Sequence, residues 1–214
     1  MIKYLTILFS LSVFVNGCRN NSTILGNSND DYERYKKTFD LNFVSHFPDK
    51  IVSEKNFIIC NTNSEKNDVG MFLIENGLID LELKKIEKKA IKLSVKVYKV
   101  SDSCLFIVNR FETEKTKKEF EVPELSDSTI IEKQCYKKLL PIPNFIEYSI
   151  NYKTNFWNDK DFNIYVFDAK PGIYLDKFDL EPDAQMPKDW KNGYSKGIAI
   201  NKKNKTIIYW GIIW

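Results

Sequence analysis

Four carboxylates lie close together near the end of the chain, where their oxygens could bind a divalent cation. Asp176, Asp179, Glu181 and Asp183 fall within a short segment, and calcium is bound in proteins by oxygen ligands of this kind. The segment lacks the loop glycine and the spacing of an EF-hand, and Pro182 interrupts it. A solvated acidic loop is therefore the favoured interpretation, and the sequence predicts neither a metal site nor a cofactor.

The single histidine, His46, is the other candidate for chemistry, as a base or a pH switch. A Ser-His-Asp triad would need His46, but no serine has a nucleophile context, and neither a Gly-rich phosphate loop nor a G-x-S-x-G motif is present. Carboxylate pairs such as Glu132 and Asp168 could hydrolyse glycosides, but a chain with 29 acidic residues offers many such pairs. The sequence therefore favours a protein that is not an enzyme.

Aromatic residues in polar segments form a possible binding surface. Phe156 and Trp157 lie in the sequence NFWND, and Trp190 and Tyr194 lie in KDWKNGY. Aromatic rings on loops can stack on sugars or anchor a protein partner, although they can also close the ends of an aromatic-rich core. Trp157, Trp190 and Tyr194 are the candidate ligand-binding residues.

The beginning of the chain has the pattern of an export signal. Lys3 precedes an apolar run over residues 4–15, which is shorter than the roughly 20 residues of a membrane-spanning helix. The sequence VNGC at positions 15–18 resembles the lipobox of bacterial lipoproteins. That resemblance implies cleavage before Cys18, diacylglycerol on its thiol and a further acyl chain, such as palmitate, on the new amino group. An ordinary secretion signal and an uncleaved anchor are the less favoured alternatives.

These features divide the chain into three parts: a signal peptide over residues 1–17, a flexible tether over 18–31 and a single domain over 32–214. The lipid on Cys18 would hold the protein at the membrane of the cell envelope. Asp30 and Asp31 come too late to match an acidic export cue, so the periplasmic and the surface face both stay open. A net charge of +3 does not indicate a nucleic-acid partner.

Three cysteines follow Cys18, namely Cys60, Cys104 and Cys135, and their odd number leaves at least one of them unpaired within the chain. All three lie in apolar contexts, so buried free thiols are the default interpretation. An exported compartment would permit one disulfide, such as Cys104–Cys135, but the sequence does not decide between these alternatives.

Two segments in the first half of the chain have helical periodicity. Aromatic residues recur at spacings of three and four over residues 32–47 and predict a helix there. Pro48 is expected to end this helix, and His46 lies near that end. His46 would then be a structural residue at a helix end, where the macrodipole favours it. Residues 80–93 predict an amphipathic helix whose lysines form a solvated face.

A third helix is predicted over residues 129–139. Thr129 and Glu132 stand in the relation of a capping box. Ile131, Cys135 and Leu139 follow at steps of four residues, so that Cys135 is expected to face the core.

Apolar and alternating segments predict the strands. The valines of residues 93–98 alternate with polar residues and predict a strand that forms a hairpin with the apolar residues 104–111. The last segment, 206–214, is apolar on both faces and is expected to be central in the sheet. Other strands are predicted at 56–62, 69–75, 162–167 and 197–201.

Together these elements predict an α+β fold, with an antiparallel or mixed sheet and about three helices packed on it. The leading functional hypothesis is a non-enzymatic, lipid-anchored envelope protein that binds another protein, for example as an immunity-type inhibitor. Carbohydrate binding through the loop aromatics is the second hypothesis, and an exported hydrolase is the third.

Overall fold

The computed structural model describes residues 23–24, 28–62, 68–110, 128–145, 159–174 and 180–214. Within these residues there are two α-helices of two turns or more, α1 (Asn29–Lys36) and α2 (Asp80–Leu93). A single α-helical turn, α3, covers Ser128–Ile131, and 3-10 helices cover Gln134–Lys138 and Lys188–Trp190. None of the described helices is long and apolar enough to cross a bilayer.

The strands form one antiparallel sheet with the order β1-β2-β3-β7-β6-β5-β4. Six strands have four to ten residues, and the two-residue strand β1 extends one edge. The strands are β1 (Thr23–Ile24), β2 (Lys55–Asn61), β3 (Val69–Asn76), β4 (Lys96–Lys99), β5 (Phe162–Pro171), β6 (Gly193–Asn201) and β7 (Thr206–Ile213). The α+β class is confirmed, but the described fold is mostly sheet and has fewer helices than the three expected.

Both faces of the sheet are covered, which gives the domain two apolar cores. On one face α1, α2 and the turns over residues 37–50 bury side chains such as Met71, Ile198 and Tyr209. On the other face irregular segments around Phe106 and Met186 pack on the sheet. The strand β7 lies between β3 and β6 and is buried along its whole length, so the prediction that it is central is confirmed.

The predicted helix over residues 32–47 is wrong beyond Lys36, where α1 ends. The following residues form turns in which polar side chains bind the backbone: Asp40 Oδ1 accepts from the backbone N–H of Asn42, and Ser45 Oγ donates to the carbonyl of Asn42. Such local hydrogen bonds compete with helical ones. The turns still bury Phe39 and Phe47, so the aromatic pattern reports burial rather than helix.

The predicted hairpin of residues 93–98 with 104–111 is also wrong. β4 pairs with β5, and of residues 104–111 only Ile107 has a described β-bridge, to Ile142. Residues 105–108 cross the sheet as an irregular segment that buries Leu105, Phe106 and Val108. Burial of these side chains in the core outweighs their strand propensity.

The third predicted helix is interrupted after Ile131. Lys133 has extended backbone geometry (ψ 134°), and the chain continues as the 3-10 helix Gln134–Lys138. This change of periodicity buries Tyr136 and leaves Cys135 exposed, so the prediction that Cys135 faces the core is wrong. Cys135 forms a disulfide with Cys104, which corrects the default interpretation of three free thiols, while Cys60 is buried in the core.

Candidate functional site

Exposed aliphatic side chains are concentrated around α2 and β4. Six of the ten large hydrophobic side chains that are exposed in the described part of the chain belong to residues 79–97. They are Ile79, Leu81, Ile91, Leu93, Val95 and Val97. Single exposed aliphatics are ordinary on protein surfaces, but a local concentration of them is typical of interaction sites.

Three of these residues form what we call the β4 edge surface: Leu93, Val95 and Val97, together with the outer edge of β4. Their exposed fractions are 46%, 63% and 48%. The backbone N–H of Ser94 bonds back to Ala90 and that of Val95 donates to Val166, so the chain passes directly from α2 into the edge strand. Val97 lies opposite Tyr165 and therefore faces the helical side of the sheet.

The outer edge of β4 offers the backbone groups of Val97 to a partner. The backbone N–H of Val100 donates to Phe162, and hydrogen-bonded pairs alternate along an antiparallel ladder. The same register makes Lys96 and Tyr98 the inward-bonding residues, so the backbone groups of Val97 and Lys99 point away from β5. Those of Lys99 are bonded to Asp102, because the Lys99 N–H donates to Asp102 Oδ2 and the Lys99 carbonyl accepts from the Asp102 N–H. Within the described residues the edge is therefore open at Val97. No described strand pairs with this side of β4. An extended segment of another chain could add to the sheet here.

Lysines surround this surface. Lys92 precedes it on α2, and Lys96 and Lys99 lie on opposite faces of β4, with Lys96 Nζ 5.8 Å from the centroid of the Tyr98 ring. None of these three lysines forms an ion pair within the described residues. Lysines on an edge strand oppose pairing with an identical edge, because the like charges repel. The site therefore favours a different, acidic partner over a second copy of this chain.

The candidate aromatic residues are not brought together. Trp190 packs on one face of the sheet, where its ring contacts Phe106 and Trp214 (centroids 5.8 and 6.1 Å apart) and its carbonyl accepts from Trp214 Nε1. Tyr194 belongs to the core on the opposite face. Trp157, like Phe156, lies outside the described residues. Trp190 and Tyr194 therefore cannot stack on the same sugar ring.

Tyr194 instead belongs to an aromatic cluster of its own. Its ring stands perpendicular to the partly exposed ring of Tyr174 (centroids 4.5 Å apart) and also contacts Phe43. Its hydroxyl donates to Asp168, which also lies 3.9 Å from Lys170 Nζ. Burial, together with the Asp168 carboxylate, raises the pKa of Tyr194, so the phenol stays protonated at neutral pH. This cluster offers ring surface beside a carboxylate and an ammonium group.

His46 has a structural environment. Its Nε2 lies 2.8 Å from the carbonyl oxygen of Trp210, and its ring packs edge-on against Phe47 and Phe167. Burial lowers the pKa of His46 to about 3, so the ring is neutral and Nε2 donates to the carbonyl. The prediction of a structural histidine fits this environment, but the helix end that was expected to explain it is absent, because α1 ends at Lys36.

The acidic segment does not converge on one point. Asp183 is buried, Glu181 is exposed, and Asp176 and Asp179 lie outside the described residues. No group of three or more potential metal ligands occurs in the described ranges. Asp183 Oδ1 accepts from the backbone N–H of Gln185, while the buried Oδ2 has no described partner. Burial therefore raises the pKa of Asp183 to about 6.

We expect Asp183 to make the domain less stable as the pH rises. The folded state binds this proton more tightly than the unfolded chain, whose pKa is 3.8, so the stabilisation is complete below about pH 4 and lost as the pH rises through about 6. Between pH 4 and 7.5 the wild type should lose about 2–3 kcal/mol of unfolding free energy relative to Asp183→Asn. Urea unfolding at both pH values checks this. Glu181→Gln, which removes an exposed carboxylate, should behave as the wild type; equal pH dependence of Asp183→Asn and wild type would contradict the prediction.

A second buried polar cluster fixes the irregular segment around Asn109. Asp68 accepts hydrogen bonds from Asn61 Nδ2 (3.1 Å) and Asn109 Nδ2 (2.8 Å), and Asn144 Nδ2 donates to the carbonyl of Asn109. Asn109 adopts a positive φ of 51°, which asparagine tolerates better than most residues. The cluster joins the end of β2 to segments that cross the opposite face of the sheet.

Comparison of the chain with protein-family profiles, curated proteins and solved structures finds no match.

The β4 edge surface is the functional candidate that sequence reasoning missed. The alternation of Leu93, Val95 and Val97 with polar residues predicts a strand, but it does not show which face is buried, and β4 buries Tyr98. The lysines at 96 and 99 were the available signal, because charged residues within a short strand are typical of a sheet edge.

Proposed function

We propose that this chain is a lipid-anchored protein of the bacterial cell envelope whose domain binds another protein through the β4 edge surface. The lipid would be carried by Cys18, which lies outside the described residues. The Cys104–Cys135 disulfide supports an exported location, because disulfides persist in oxidising compartments and are rare in the cytosol. Cys135 is exposed, so a reducing environment would have access to this bond.

The observation that carries the binding proposal is the combination of three exposed aliphatics with an open strand edge. Leu93, Val95 and Val97 supply apolar area, and the backbone N–H and carbonyl of Val97 supply hydrogen bonds at the same place. Addition of a strand uses both, since the backbone gives affinity and the alternate side chains give specificity. Lys96 and Lys99, on opposite faces of β4, favour a partner strand with acidic residues.

The place of the edge in the fold agrees with an anchored binding module. The strand nearest to Cys18 in sequence is β1, and β1 and β4 are the two opposite edges of the sheet. Five positions separate Cys18 from Thr23, so the lipid lies within about 18 Å of the β1 edge at full extension. A partner at β4 would therefore bind at the edge farthest from the anchor.

Carbohydrate binding is the second candidate, and the cluster of Tyr174 and Tyr194 favours it. Tyr174 exposes part of its ring, and Asp168 and Lys170 could bind sugar hydroxyl groups beside it. The hydroxyl groups of both tyrosines are already bound within the domain, Tyr174 to the carbonyl of Pro171 and Tyr194 to Asp168. This leaves mainly ring surface, so we rank this candidate below the β4 edge surface.

Photo-crosslinking in the producing cell tests protein binding at β4. With a photoreactive phenylalanine analogue in place of Val97, we expect one discrete adduct of higher mass. In a chain that also carries Val95→Lys, the yield of this adduct should fall roughly tenfold or more. The reason is that burying a charge in an apolar contact weakens binding by at least about 1.4 kcal/mol, which corresponds to tenfold.

The matched control carries the same analogue in place of Lys137, which is exposed on the opposite face of the sheet. Equal adducts from positions 97 and 137, or an adduct that is insensitive to Val95→Lys, would contradict a binding site at β4. An adduct whose mass equals two copies of this chain would replace the foreign partner with a homodimer.

A further inference from the structure

The solvent side of α2 carries a basic surface whose lysines form no ion pair with the described residues. We call it the outer face of α2 and define it by Leu81, Lys84, Lys85, Lys88, Ile91 and Lys92, all of which are exposed. We infer that this face contacts an anionic lipid surface. The inference goes beyond protein binding at β4, because it concerns a different ligand and, apart from Lys92, different side chains.

The packing of α2 determines which side chains form this face. Leu83 and Ala90 are buried against the sheet, and residues follow each other at about 100° around a helix. The lysines at 84, 85, 88 and 92 therefore project from the half of α2 that faces away from the sheet. The sequence predicts that this basic run is an ordinary solvated face. Whether it can also bind a ligand depends on the acidic and aliphatic side chains beside it.

These lysines outnumber the acids beside them in the part of the chain that the structure describes. None of the four forms an ion pair within the described part of the chain. Two of the acids on α2 pair with lysines outside this face, Glu87 with Lys202 (2.7 Å) and Asp80 with Lys205 (3.2 Å). Glu82 is the third acid on the helix, so four lysines face one remaining carboxylate. A row of lysines without partners attracts anionic headgroups.

Two aliphatic side chains project among these lysines. Leu81 is 71% exposed and Ile91 is 60% exposed. They lie ten residues apart, or about 15 Å along the helix axis. A compact protein contact would gather its apolar side chains in one place, whereas separate aliphatics within a basic face suit an extended headgroup layer into which each can insert. The spacing therefore favours a lipid surface over an acidic protein.

The proposed lipid on Cys18 would bring such a surface within reach. Thr23 pairs with Ile59 at the β1 edge, and the chain then enters α1 on the same side of the sheet as α2. A domain held within about 18 Å of the bilayer meets it at a high effective concentration, so a modest affinity of α2 is sufficient. This high effective concentration depends on the proposed anchor, whereas the charges and the exposed aliphatic side chains of α2 do not.

Vesicle binding tests the inference with three forms of the full chain, each carrying Cys18→Ser. The parent has no other change, the test form adds Lys84→Gln, Lys88→Gln and Lys92→Gln, and the control form adds Lys133→Gln, Lys137→Gln and Lys138→Gln. The control lysines are exposed around the 3-10 helix on the opposite face of the sheet, so both triple variants lose the same charge.

Cosedimentation with phosphatidylcholine vesicles, with and without 30 mol% phosphatidylglycerol, gives the ratio of anionic to neutral affinity for each form. All three forms share the apolar residues 4–15 of the unprocessed chain, so the comparison of their ratios cancels the contribution of that segment. The test form should show a ratio about 100-fold lower than the parent, since each lysine near the surface contributes about 1 kcal/mol and 1.4 kcal/mol is tenfold. The control form should keep the parent's ratio.

Two results would overturn the inference. If both triple variants lose the same preference, net charge rather than the outer face of α2 is responsible. If the parent has no preference for anionic vesicles, the outer face of α2 does not contact anionic lipid. Neither result bears on crosslinking at Val97, so this failure is distinguishable from failure of the proposed function.

Discussion

A chain that ends at Lys205, and so lacks β7 and Trp214, is expected not to fold. β7 pairs with β3 along one side and with β6 along the other, so its removal separates the sheet into two parts. All eight of its residues are buried, and Trp210 and Trp214 are among the largest fully buried side chains. Loss of near-ultraviolet circular dichroism and of soluble expression would report this outcome.

The matched control removes a larger segment from the other end of the chain. A chain without residues 1–17, the predicted signal peptide, should keep the near-ultraviolet spectrum and the cooperative unfolding of the full chain. Cooperative unfolding of the chain that ends at Lys205 would contradict the central role of β7, because the remaining strands would then form a stable sheet without it.

Removal of the Cys104–Cys135 disulfide is expected to lower the unfolding free energy by about 3–4 kcal/mol. The bond closes a loop with a sequence separation of 31 residues, and in the chain-entropy model such a loop restricts the unfolded state by about this amount. Urea unfolding of Cys104→Ser/Cys135→Ser against the wild type measures the difference. The effect exceeds that expected for most single substitutions.

Reduction provides the control for this prediction. Dithiothreitol should lower the urea midpoint of the wild type and leave that of Cys104→Ser/Cys135→Ser unchanged. Cys60→Ala should remain sensitive to the reductant, because Cys60 takes no part in this bond. A wild-type midpoint that does not respond to reductant would show that the disulfide does not contribute to stability.

Local patterns in the sequence were sufficient to predict an element whose conformation depends mainly on its own side chains. The spacing of Leu83 and Ala90 with lysines between them predicted α2, and the helix runs from Asp80 to Leu93 as expected. The dipeptide Asn76-Gly77 is typical of a turn, and Gly77 has the positive φ, 72°, that such a turn requires. Helical periodicity and turn chemistry act over a few residues, so a single sequence is informative about them.

Strand pairing was decided by contacts between distant residues. The segment around Val97 has the alternation of a strand, but alternation does not reveal whether its partner is the next segment or β5, some 70 residues later. Pairing with β5 placed it at the sheet edge and left Val95 and Val97 in solvent. The candidate site therefore depends on topology, which the local pattern does not contain.

Close packing likewise decided features that local patterns do not specify. Gly197 is required because a Cβ there would lie 2.1 Å from the Tyr165 carbonyl and 2.6 Å from the Trp210 ring. Cys104 and Cys135 can bond only because the segments that carry them cross the same face of the sheet.

The sequence by itself determined the class of the fold, the positions of most strands and of α2, and the central place of the last strand, while lipidation at Cys18 stays a prediction. Each of these depends on composition or on periodicity within one segment. The tertiary structure decided the edge position of β4, the Cys104–Cys135 bond, the burial of Asp183 and the separation of Trp190 from Tyr194. These depend on which distant segments pack together, and that is set by the burial of two cores at once rather than by any local preference.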